Sequence, residues 1–451
     1  MVRAGLAVAR GGACAPQSKS ALVTSAATTD FSRVSLRKKQ RVLLGMSGGV
    51  DSSVAGYLLR EQGYEVIGAT MKVWPQDCIS RAEDKCCGPQ AVADARGVAH
   101  ALGFPHYVVD EADQFEKLVI NYFSSEYQAG RTPNPCVMCN EKLKFGNLWQ
   151  KAEALGCDYI ATGHYAIIEH SGTGVGDPGY SNRAVLRKGI DPRKDQSYFL
   201  FSLRQDQLLR ALTPVGCMAK SEIRAIARKL GLKVADKADS QEICFVPGQD
   251  YKAFLRSHLG ENQFHRGGIY DLEGNFIAGH EGIEMFTIGQ RKGLPGGSAQ
   301  PRYVVDVDPE TNRVIVGGAE DLLIEEFEVE RVNWIAVGGV DDPSPRSATT
   351  ATTGAGVTDT SYNDAGLAGA RPTSRGAEPI ECTVKIRYNH PGTRAMVTLL
   401  EEQRARVRLR EPQKAITPGQ AAVFYNGDVV LGGGWICRQV RAGPALAMIP
   451  A

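Results

Sequence analysis

Apolar positions in the first half of the chain follow two alternating spacings. Short apolar runs predict strands over 41–46, 65–71, 106–110 and 159–163. Between and after these runs, apolar residues recur every three to four positions, which predicts helices over 52–62, 90–102, 113–128, 141–155 and 221–230. This alternation predicts an α/β fold with a doubly wound, mostly parallel sheet that binds ligands at the carboxyl ends of its strands.

The second half of the chain has a different pattern. Short segments separated by Gly-rich turns predict a small β-rich module between about 267 and 323. Beyond residue 326, alternating positions are typical of an antiparallel β-barrel, with strands predicted over 329–337, 380–388, 395–400, 405–410 and 420–431. Within this part, 341–377 nearly lacks large apolar residues and predicts a disordered insertion. The predicted domains are 40–235, 236–325 and 326–445.

The first 39 residues carry seven basic residues and one acidic residue among many Ser, Thr and Ala. This composition is typical of a cleaved transit peptide and predicts import into a mitochondrion or plastid; the alternative is a disordered extension without a targeting role.

The rest of the chain has 45 basic and 49 acidic residues, a net charge of −4. Nucleic-acid binding would therefore rely on local basic patches. No apolar run approaches the roughly 18 residues of a membrane span, so we expect no membrane partner.

The chain has eleven cysteines, an odd number without the spacing of a disulfide framework, so reduced thiols are expected. Cys136 and Cys139 precede the predicted helix 141–155, whose dipole would lower the pKa of the Cys139 thiol. Cys244 follows the last predicted helix of the first domain. The sequence does not show whether these thiols meet, and unreactive buried cysteines are common. The remaining cysteine-rich segment is interpreted as a mobile loop and contains Cys78, Cys86 and Cys87.

The most specific motif lies between the first predicted strand and the first predicted helix. It reads Gly45, Met46, Ser47, Gly48, Gly49, Val50, Asp51 and Ser52. Glycines let the backbone approach an anion closely, and the amides at a helix N-terminus point positive charge toward it. The Gly-Lys-Ser/Thr sequence of a Walker loop is missing. The motif therefore predicts a phosphate-binding loop of another type, against the alternative of a glycine-rich turn that binds nothing.

This loop resembles that of the PP-loop ATP pyrophosphatases, which cleave ATP between its α and β phosphates and adenylate a substrate oxygen. Further motifs resemble those of the tRNA-specific 2-thiouridylase family. They occur in order from about residue 41 to residue 437, at 132–140, 161–165, 194–200, 289–294, 417–420 and 424–427. The resemblance implies a transferase that uses ATP and Mg²⁺ to replace the 2-oxygen of the wobble uridine of tRNA with sulfur. It further implies a monomer with three partners: tRNA, a persulfide donor (a cysteine desulfurase or relay protein) and an external reductant. It also implies that the central domain 236–325 binds tRNA.

The resemblance also implies roles for individual residues. ATP would be held by the loop 45–52 together with Met71 and Gly163. Cys244 would carry the persulfide, and Cys139 would resolve the sulfur transfer by disulfide formation. Other residues would line the pocket for the flipped-out base or contact tRNA: Asn134, Pro135, Cys136, His164, Lys194, Asp195, Gln196, Arg387, Tyr388 and Gln420. Basic residues in these motifs, which include Arg291 and Lys292, predict RNA binding that weakens steeply with salt.

One position departs from the family pattern. Many family members carry an aspartate, proposed as a general acid or base, where this chain has Cys136. A thiol has a much higher reference pKa than a carboxylic acid. The substitution also creates a second hypothesis, in which Cys136, Cys139 and Cys244 hold a [4Fe–4S] cluster as in related tRNA thiolases. A third is a PP-loop ligase acting on a small metabolite.

Overall fold

The structure is a computed structural model that describes residues 39–73, 88–170, 183–238, 243–246, 248, 250–295, 300–336 and 378–438. Three sequence predictions fall outside these ranges. They are the transit peptide up to residue 38, the disordered insertion 341–377, and the loop that contains Cys78, Cys86 and Cys87.

A parallel sheet forms the centre of the first domain. Its strands are β1 (Arg41–Gly45), β2 (Glu65–Lys72), β3 (His106–Asp110), β4 (Tyr159–Ala161) and β7 (Ala211–Leu212). They are ordered β3-β2-β1-β4-β7, and every pair is parallel. The order runs one way from β1 through β2 to β3 and resumes on the other side at β4. This strand order confirms the predicted doubly wound fold. Such sheets bind ligands at the point where the strand order reverses, here between β1 and β4.

Helices cover the sheet. They are α1 (Val50–Glu61), α2 (Pro89–Leu102), α5 (Gln205–Leu208) and α6 (Lys220–Lys229), with two longer interrupted helices, α3 and α4. Helix α3 joins Ala112–Phe115, a π-helical turn at Glu116–Ile120 and Asn121–Gln128. Helix α4 joins Pro135–Met138, a π-helical segment at Cys139–Asn147 and Leu148–Ala154. The predicted start of α4 at residue 141 is wrong, because the helix begins six residues earlier.

The early start of α4 has a local cause. Asn134 is the N-cap, and its side-chain oxygen accepts a hydrogen bond from the Val137 amide at 3.4 Å. Pro135 follows at the first helical position, where its fixed φ favours helix and its missing N–H costs nothing. The Asn-Pro pair is therefore the start signal, and it lies in the printed sequence.

A β-hairpin of the first domain lies outside the parallel sheet and joins the sheet of the C-terminal barrel. Strands β5 (Ala166–His170) and β6 (Ala184–Lys188) pair with each other, and Arg187 of β6 pairs with Val429 in the C-terminal barrel. The side chain of Arg187 reinforces this junction through an ion pair with Asp428 at 3.1 Å. Periodicity along the chain gives no sign of this join, because the pairing partner lies more than 200 residues away.

The central module is a four-stranded sheet. Its strands are β8 (Gly267–Tyr270), β9 (Phe276–His280), β10 (Tyr303–Asp308) and β11 (Arg313–Gly317), in the order β10-β11-β8-β9. Helix α7 (Tyr251–Leu259) precedes it. A core of eight buried side chains, among them Ile269, Val304 and Val314, holds this module together and confirms the predicted β-rich domain.

The C-terminal barrel is closed. Its six strands are β12 (Leu323–Trp334), β13 (Ile380–Lys385), β14 (Thr393–Leu399), β15 (Ala405–Lys414), β16 (Ala421–Asn426) and β17 (Val429–Ile436). Each is antiparallel to its neighbours, and β12 pairs with both β15 and β17. The single strand predicted over 420–431 is wrong, because the chain turns at Gly427, whose φ is 62°. Closure leaves no open edge in this barrel.

Candidate active site

The predicted phosphate loop lies at the carboxyl end of β1, the middle strand of the parallel sheet. Gly48 has φ +66°, and a Cβ there would lie 2.3 Å from the carbonyl oxygen of Ala91 in α2. Only glycine satisfies both the conformation and the close approach. Helix α1 begins after Gly49, which has no side chain to occupy the first-turn amides, so those amides are left for an anion.

Two serine hydroxyls hold the loop in shape. Ser52 Oγ accepts a hydrogen bond from the Ser47 amide at 3.3 Å, and Ser53 Oγ donates to the Gly49 carbonyl at 2.8 Å. Ser52 and Ser53 are buried, whereas Ser47 is exposed. Ser47 is therefore the hydroxyl of the loop that an incoming phosphate reaches first.

The carboxylate of Asp51 has two partners that the sequence did not reveal. Lys220 Nζ lies 2.7 and 2.8 Å from its two oxygens, and the Tyr165 hydroxyl donates to Oδ1 at 2.6 Å. Lys220 is nearly buried at the first position of α6. This places a largely desolvated cation beside the loop, with its charge balanced by Asp51.

A second lysine braces the loop from the side. Lys237 Nζ donates to the Gly48 carbonyl at 3.2 Å and forms an ion pair with Asp94 of α2 at 2.7 Å. Lys237 thus ties the loop to the helix against which Gly48 packs. Its position after α6, with no motif around it, gave sequence reasoning no signal.

Gly163 and Met71, which the resemblance assigns to ATP, lie at the carboxyl ends of the strands on either side of β1. Gly163 follows β4, and a Cβ on it would lie 2.7 Å from the Ser52 amide, so glycine is required for the close packing. Met71 is the penultimate residue of β2, on the other side of β1, and packs against two core clusters. The loop, Gly163 and Met71 therefore surround the carboxyl ends of three adjacent strands, a shape suited to a nucleotide with its phosphates on the loop.

Cys136 and Cys139 lie on α4. Cys136 is exposed in the first helical turn, and Cys139 is half-buried three residues later, where the helix widens into its π-helical segment. The predicted position of Cys139 ahead of the helix is wrong. Because α4 begins at Pro135, the N-terminal dipole acts on Cys136 rather than on Cys139. π-Helical turns are frequent at functional sites.

Cys139 and Cys244 pack against the same core cluster. Its buried members include Phe123, Leu143 and Phe245, and Met71 packs against it as well. Cys244 is half-buried beside Phe245, whose ring contacts that of Phe123 with centroids 5.1 Å apart. The fold thus brings two thiols that are distant in sequence to one cluster, together with a residue of the predicted ATP site.

The barrel supports the segment that leads to these thiols. Gln420 Nε2 donates to the carbonyl oxygens of Thr132 and Pro133 at 3.1 and 2.9 Å. The Thr132 amide donates to the Pro418 carbonyl at 2.8 Å. The buried Asn134 and Pro135 follow directly. Gln420, predicted to contact tRNA, therefore holds the loop that leads to Cys136 and Cys139.

Four further predicted tRNA residues follow strands β4 and β6. His164 is buried, hydrogen-bonds Thr162 at 2.7 Å, and has a pKa lowered by burial and by Lys144. Asp195 is buried and accepts hydrogen bonds from the Gly189 and Ser197 amides. Gln196 exchanges hydrogen bonds with the backbone of Tyr165, the partner of Asp51. Lys194 is half-buried, whereas the adjacent Arg193 is exposed.

Arg387 and Tyr388 follow strand β13 of the barrel. Arg387 is exposed, whereas Tyr388 is half-buried with its ring 4.6 Å from that of Phe199. The Phe199 carbonyl accepts a hydrogen bond from Asn140, the neighbour of Cys139, at 3.2 Å. A short line of contacts therefore connects the barrel surface to the helix that carries the thiols.

The other described cysteines have different environments. Burial raises the pKa of Cys157 to about 11, of Cys437 to about 11 and of Cys382 to about 12. These thiols stay protonated near neutral pH and are poor nucleophiles. Cys217 is disulfide-bonded, contrary to the expectation of reduced thiols.

The described residues contain no group of three or more His, Cys, Asp or Glu arranged to hold a metal ion. Cys136, Cys139 and Cys244 are all within that part of the chain. They do not form the three-thiolate set that an iron–sulfur cluster would need, so no step is derived through such a cluster. Likewise, none of the described helices is both long and apolar enough to cross a membrane.

Three family models match the chain in order. Residues 40–248 match the tRNA methyl transferase HUP domain, residues 252–318 match the tRNA methyl transferase PRC-barrel domain, and residues 365–436 match the aminomethyltransferase beta-barrel domain. The matched segments contain the phosphate loop, the central sheet and most of the barrel, respectively.

Curated relatives match across nearly their whole length. The tRNA-specific 2-thiouridylase MnmA 2 of Clostridium tetani is 45% identical over 88% of this chain and 99% of its own. MnmA 1 of Caldanaerobacter subterraneus is 45% identical over 89% and 99%, and MnmA of Geobacter metallireducens is 44% identical over 90% and 99%. The fold, the phosphate loop and these relatives agree. The chain belongs to the tRNA-specific 2-thiouridylase family, MnmA.

Proposed function

We propose that this protein is an ATP-dependent tRNA-uridine 2-sulfurtransferase that converts the wobble uridine of tRNA to 2-thiouridine. One observation carries the proposal: Cys139 and Cys244 pack against a single core cluster that Met71, beside the phosphate loop, also contacts. A residue predicted to hold ATP and the two thiols thus contact one cluster. Family membership supports the same activity. The ligase alternative, which has a small metabolite as substrate, needs neither thiol nor barrel.

The first step activates the uridine. The 2-oxygen of the base attacks the α-phosphorus of ATP, the bond to the β-phosphate breaks, and pyrophosphate leaves. Loop amides after Gly49, the Ser47 hydroxyl and the Lys220 cation stabilise the charge that develops on the phosphates. Mg²⁺ offsets phosphate charge when bound, and Asp51 is the carboxylate of the loop that would hold it.

The second step transfers sulfur. The terminal sulfur of a Cys244 persulfide attacks C2 of the adenylated base, and AMP leaves with the former 2-oxygen. Cys139 then attacks the Cys244 Sγ, the bond between that Sγ and the transferred sulfur breaks, and 2-thiouridine is released. The products are a Cys139–Cys244 disulfide and a thiolated base. An external thiol must reduce the disulfide by two electrons before the next turnover.

The tRNA must present its base outside the stack. Asn134, Pro135 and Cys136 stand at the start of α4, next to Cys139, and form one wall for an extruded uridine. Arg387 and Tyr388 extend the binding surface onto the barrel. Cys136 is exposed and lies three residues before Cys139 on α4, and we assign it the proton exchange at the base.

A thiolation assay tests the proposal. Purified protein is incubated with ATP, a persulfide donor, a thiol reductant and unmodified tRNA, and 2-thiouridine is measured by mass spectrometry of digested tRNA. We expect product that requires ATP and is abolished in Cys244→Ser and Cys139→Ser. Cys157→Ser, at a buried thiol outside the site, is the matched control and should retain activity. Equal product from Cys244→Ser would refute the sulfur route, and no product from wild type would refute the function.

We further propose that the protein acts in a mitochondrion or plastid, with a cysteine desulfurase or relay protein as the persulfide donor. The basic, acid-poor composition of residues 1–39 supports the targeting. Fusing these residues to a fluorescent protein tests the proposal. Diffuse cytoplasmic fluorescence would contradict it.

A further inference from the structure

Helix α4 is π-helical from Cys139 to Asn147. The Leu148 amide, at the end of this π-helical segment, donates to the carbonyl oxygen of Leu143, five residues earlier, whereas an α-helix bonds residues four apart. π-Helices are rare, and most are single turns. A segment of 9 residues therefore needs contacts from outside the helix to hold it.

Gln207, on the short helix α5, supplies such contacts. Its Nε2 donates to the carbonyl oxygens of Phe145 and Glu141, both in the π-helical segment, at 2.9 and 3.4 Å. Its Oε1 accepts a hydrogen bond from the Arg204 amide at 3.0 Å. Gln207 is buried, so a side chain that cannot donate would leave these two carbonyl oxygens without that partner in a dry environment.

Two further side-chain amides hold the ends of the π-helical segment. Asn140 is buried, and its Nδ2 donates to the Phe199 carbonyl oxygen at 3.2 Å. Asn147 Nδ2 donates to Oε2 of the buried Glu111 at 3.1 Å. Hydrogen bonds to three different parts of the first domain therefore fix the segment near its start, in its middle and at its end.

The π-helical segment sets where Cys139 lies relative to the rest of α4. It contains one residue more per hydrogen-bonded turn than an α-helix, in which each residue turns the chain by about 100°. Relaxation to an α-helix would turn Cys139 by about that angle relative to Leu148, which is fully buried. The thiol would then leave the cluster that it shares with Cys244.

We propose that Gln207 and Asn140 are positioning residues for Cys139: their side-chain amides maintain the π-helical segment and thereby direct the Cys139 thiol at Cys244. The proposal rests on the proposed function, and the step concerned is the last one. The base is then joined to Cys244 through the transferred sulfur. The Cys139 thiolate attacks the Cys244 Sγ, and the electron pair of the broken sulfur–sulfur bond stays on the sulfur of 2-thiouridine.

The first test is the equilibrium between the Cys139–Cys244 disulfide and its two thiols in the full chain, measured in glutathione redox buffers by non-reducing peptide mapping. The ratio reports the effective concentration of one thiol at the other, which falls when the two are displaced. We expect it to fall about tenfold in Gln207→Met and in Asn140→Leu. Neither ATP nor tRNA is present, so the result does not depend on the proposed activity.

Gln205→Met is the matched control. Gln205 is a buried glutamine on the same helix, but its Nε2 donates to the carbonyl oxygens of Ala184 and Ile335, outside α4. Both glutamine variants lose buried hydrogen bonds and should melt at a lower temperature than wild type. Gln205→Met should nevertheless keep the wild-type effective concentration, which separates loss of stability from loss of position.

The second test is a single turnover of persulfide-loaded protein with labelled tRNA and ATP. The intermediate appears as a protein–tRNA adduct on a non-reducing denaturing gel. Its decay should be about tenfold slower in Gln207→Met, with unchanged affinities for ATP and tRNA, because only the attack by Cys139 is impaired.

The outcomes separate the two proposals. A folded variant of Gln207 or Asn140 with the wild-type effective concentration, or with wild-type decay of the adduct, would overturn the positioning role and leave the proposed function standing. A value for Gln205→Met as low as that for Gln207→Met would also overturn it. If Gln207→Met does not fold, Asn140→Leu decides alone. Wild-type protein that makes no 2-thiouridine would instead refute the proposed function.

Discussion

The side-chain amide of Gln420, in the C-terminal barrel, lies 2.9 Å from the carbonyl oxygen of Pro133 in the first domain. The same amide reaches the Thr132 carbonyl at 3.1 Å. Two residues later the chain enters α4, which carries Cys136 and Cys139. The barrel therefore fixes the loop from which the cysteine-bearing helix starts.

Replacing Gln420 with Ala should slow thiolation more than it weakens ATP binding. The change removes two hydrogen bonds to the loop, each worth about 1 kcal/mol, and lets the thiols shift from their positions. We expect kcat to fall about tenfold, because small displacements of reacting groups are costly. Gln114→Ala, at an exposed glutamine of α3, is the control. A purely RNA-binding role would instead raise the KM for tRNA and spare kcat.

Lys220→Met should weaken ATP binding and destabilise the fold. It leaves the Asp51 carboxylate beside a nearly buried apolar side chain without its cation. Because Asp51 is partly exposed, we expect a loss of only about 1–2 kcal/mol, measured from denaturant midpoints. Lys229→Met on the same helix should have no effect. ATP affinity equal to that of wild type would remove Lys220 from the phosphate site.

Gly48→Ala should abolish ATP binding because the added Cβ would clash with backbone, and Gly231→Ala is a matched control without that clash. Both Gly48 and Gly231 have positive φ, +66° and +65°, but only at Gly48 would a Cβ meet backbone, at 2.3 Å. Gly231→Ala should cost about 1 kcal/mol from the backbone conformation alone. Gly48→Ala should cost more and displace the loop. Calorimetric titration with ATP and thermal unfolding of both variants distinguish the two effects.

Alkylation by iodoacetamide should label Cys136 and Cys157 at different rates, and the rate at Cys157 should depend strongly on pH. Cys136 is exposed and should react first. Cys157 has a pKa raised to about 11, so its thiolate fraction at pH 8 is about one in a thousand and should rise about tenfold per pH unit. Mass spectrometry after short pulses measures this. Labelling of Cys157 at the rate of Cys136 at pH 8 would contradict the described environments.

The same raised pKa values link stability to pH. The folded state favours the protonated form of Cys157 and Cys382. Their contribution to the free energy of unfolding is therefore fully present below about pH 8.5, the pKa of an unfolded cysteine. It is lost as pH rises through the folded values, about 11 and 12. We expect the free energy of unfolding to decline above about pH 8.5 and the decline to be smaller in Cys157→Ala.

Local patterns in the sequence predicted much of the fold. Apolar periodicity gave the strands and helices of the parallel sheet, and the motif 45–52 gave the loop at its centre. Both are properties of neighbouring residues. The start of α4 is also encoded locally, by Asn134 and Pro135, whereas the apolar period indicated a start at residue 141. The turn at Asn426 and Gly427 was missed in the same way.

Other features required the tertiary structure. The pairing of Arg187 with Val429, the ion pair of Lys220 with Asp51, and the common cluster of Cys139 and Cys244 each join residues more than 100 positions apart. Gln420 is an example of a residue whose structural role the sequence did not predict. Its motif indicated importance, but only the packing of the barrel against the 132–135 loop shows what its side chain holds.

The central claim is that Cys139 and Cys244 act as a pair in ATP-dependent sulfur transfer to tRNA. The most direct measurement is a single turnover without reductant, with protein loaded with persulfide and mixed with tRNA and ATP, followed by non-reducing peptide mapping. We predict one Cys139–Cys244 disulfide for each 2-thiouridine formed, and none when ATP is omitted. Formation of 2-thiouridine without that disulfide would contradict the account.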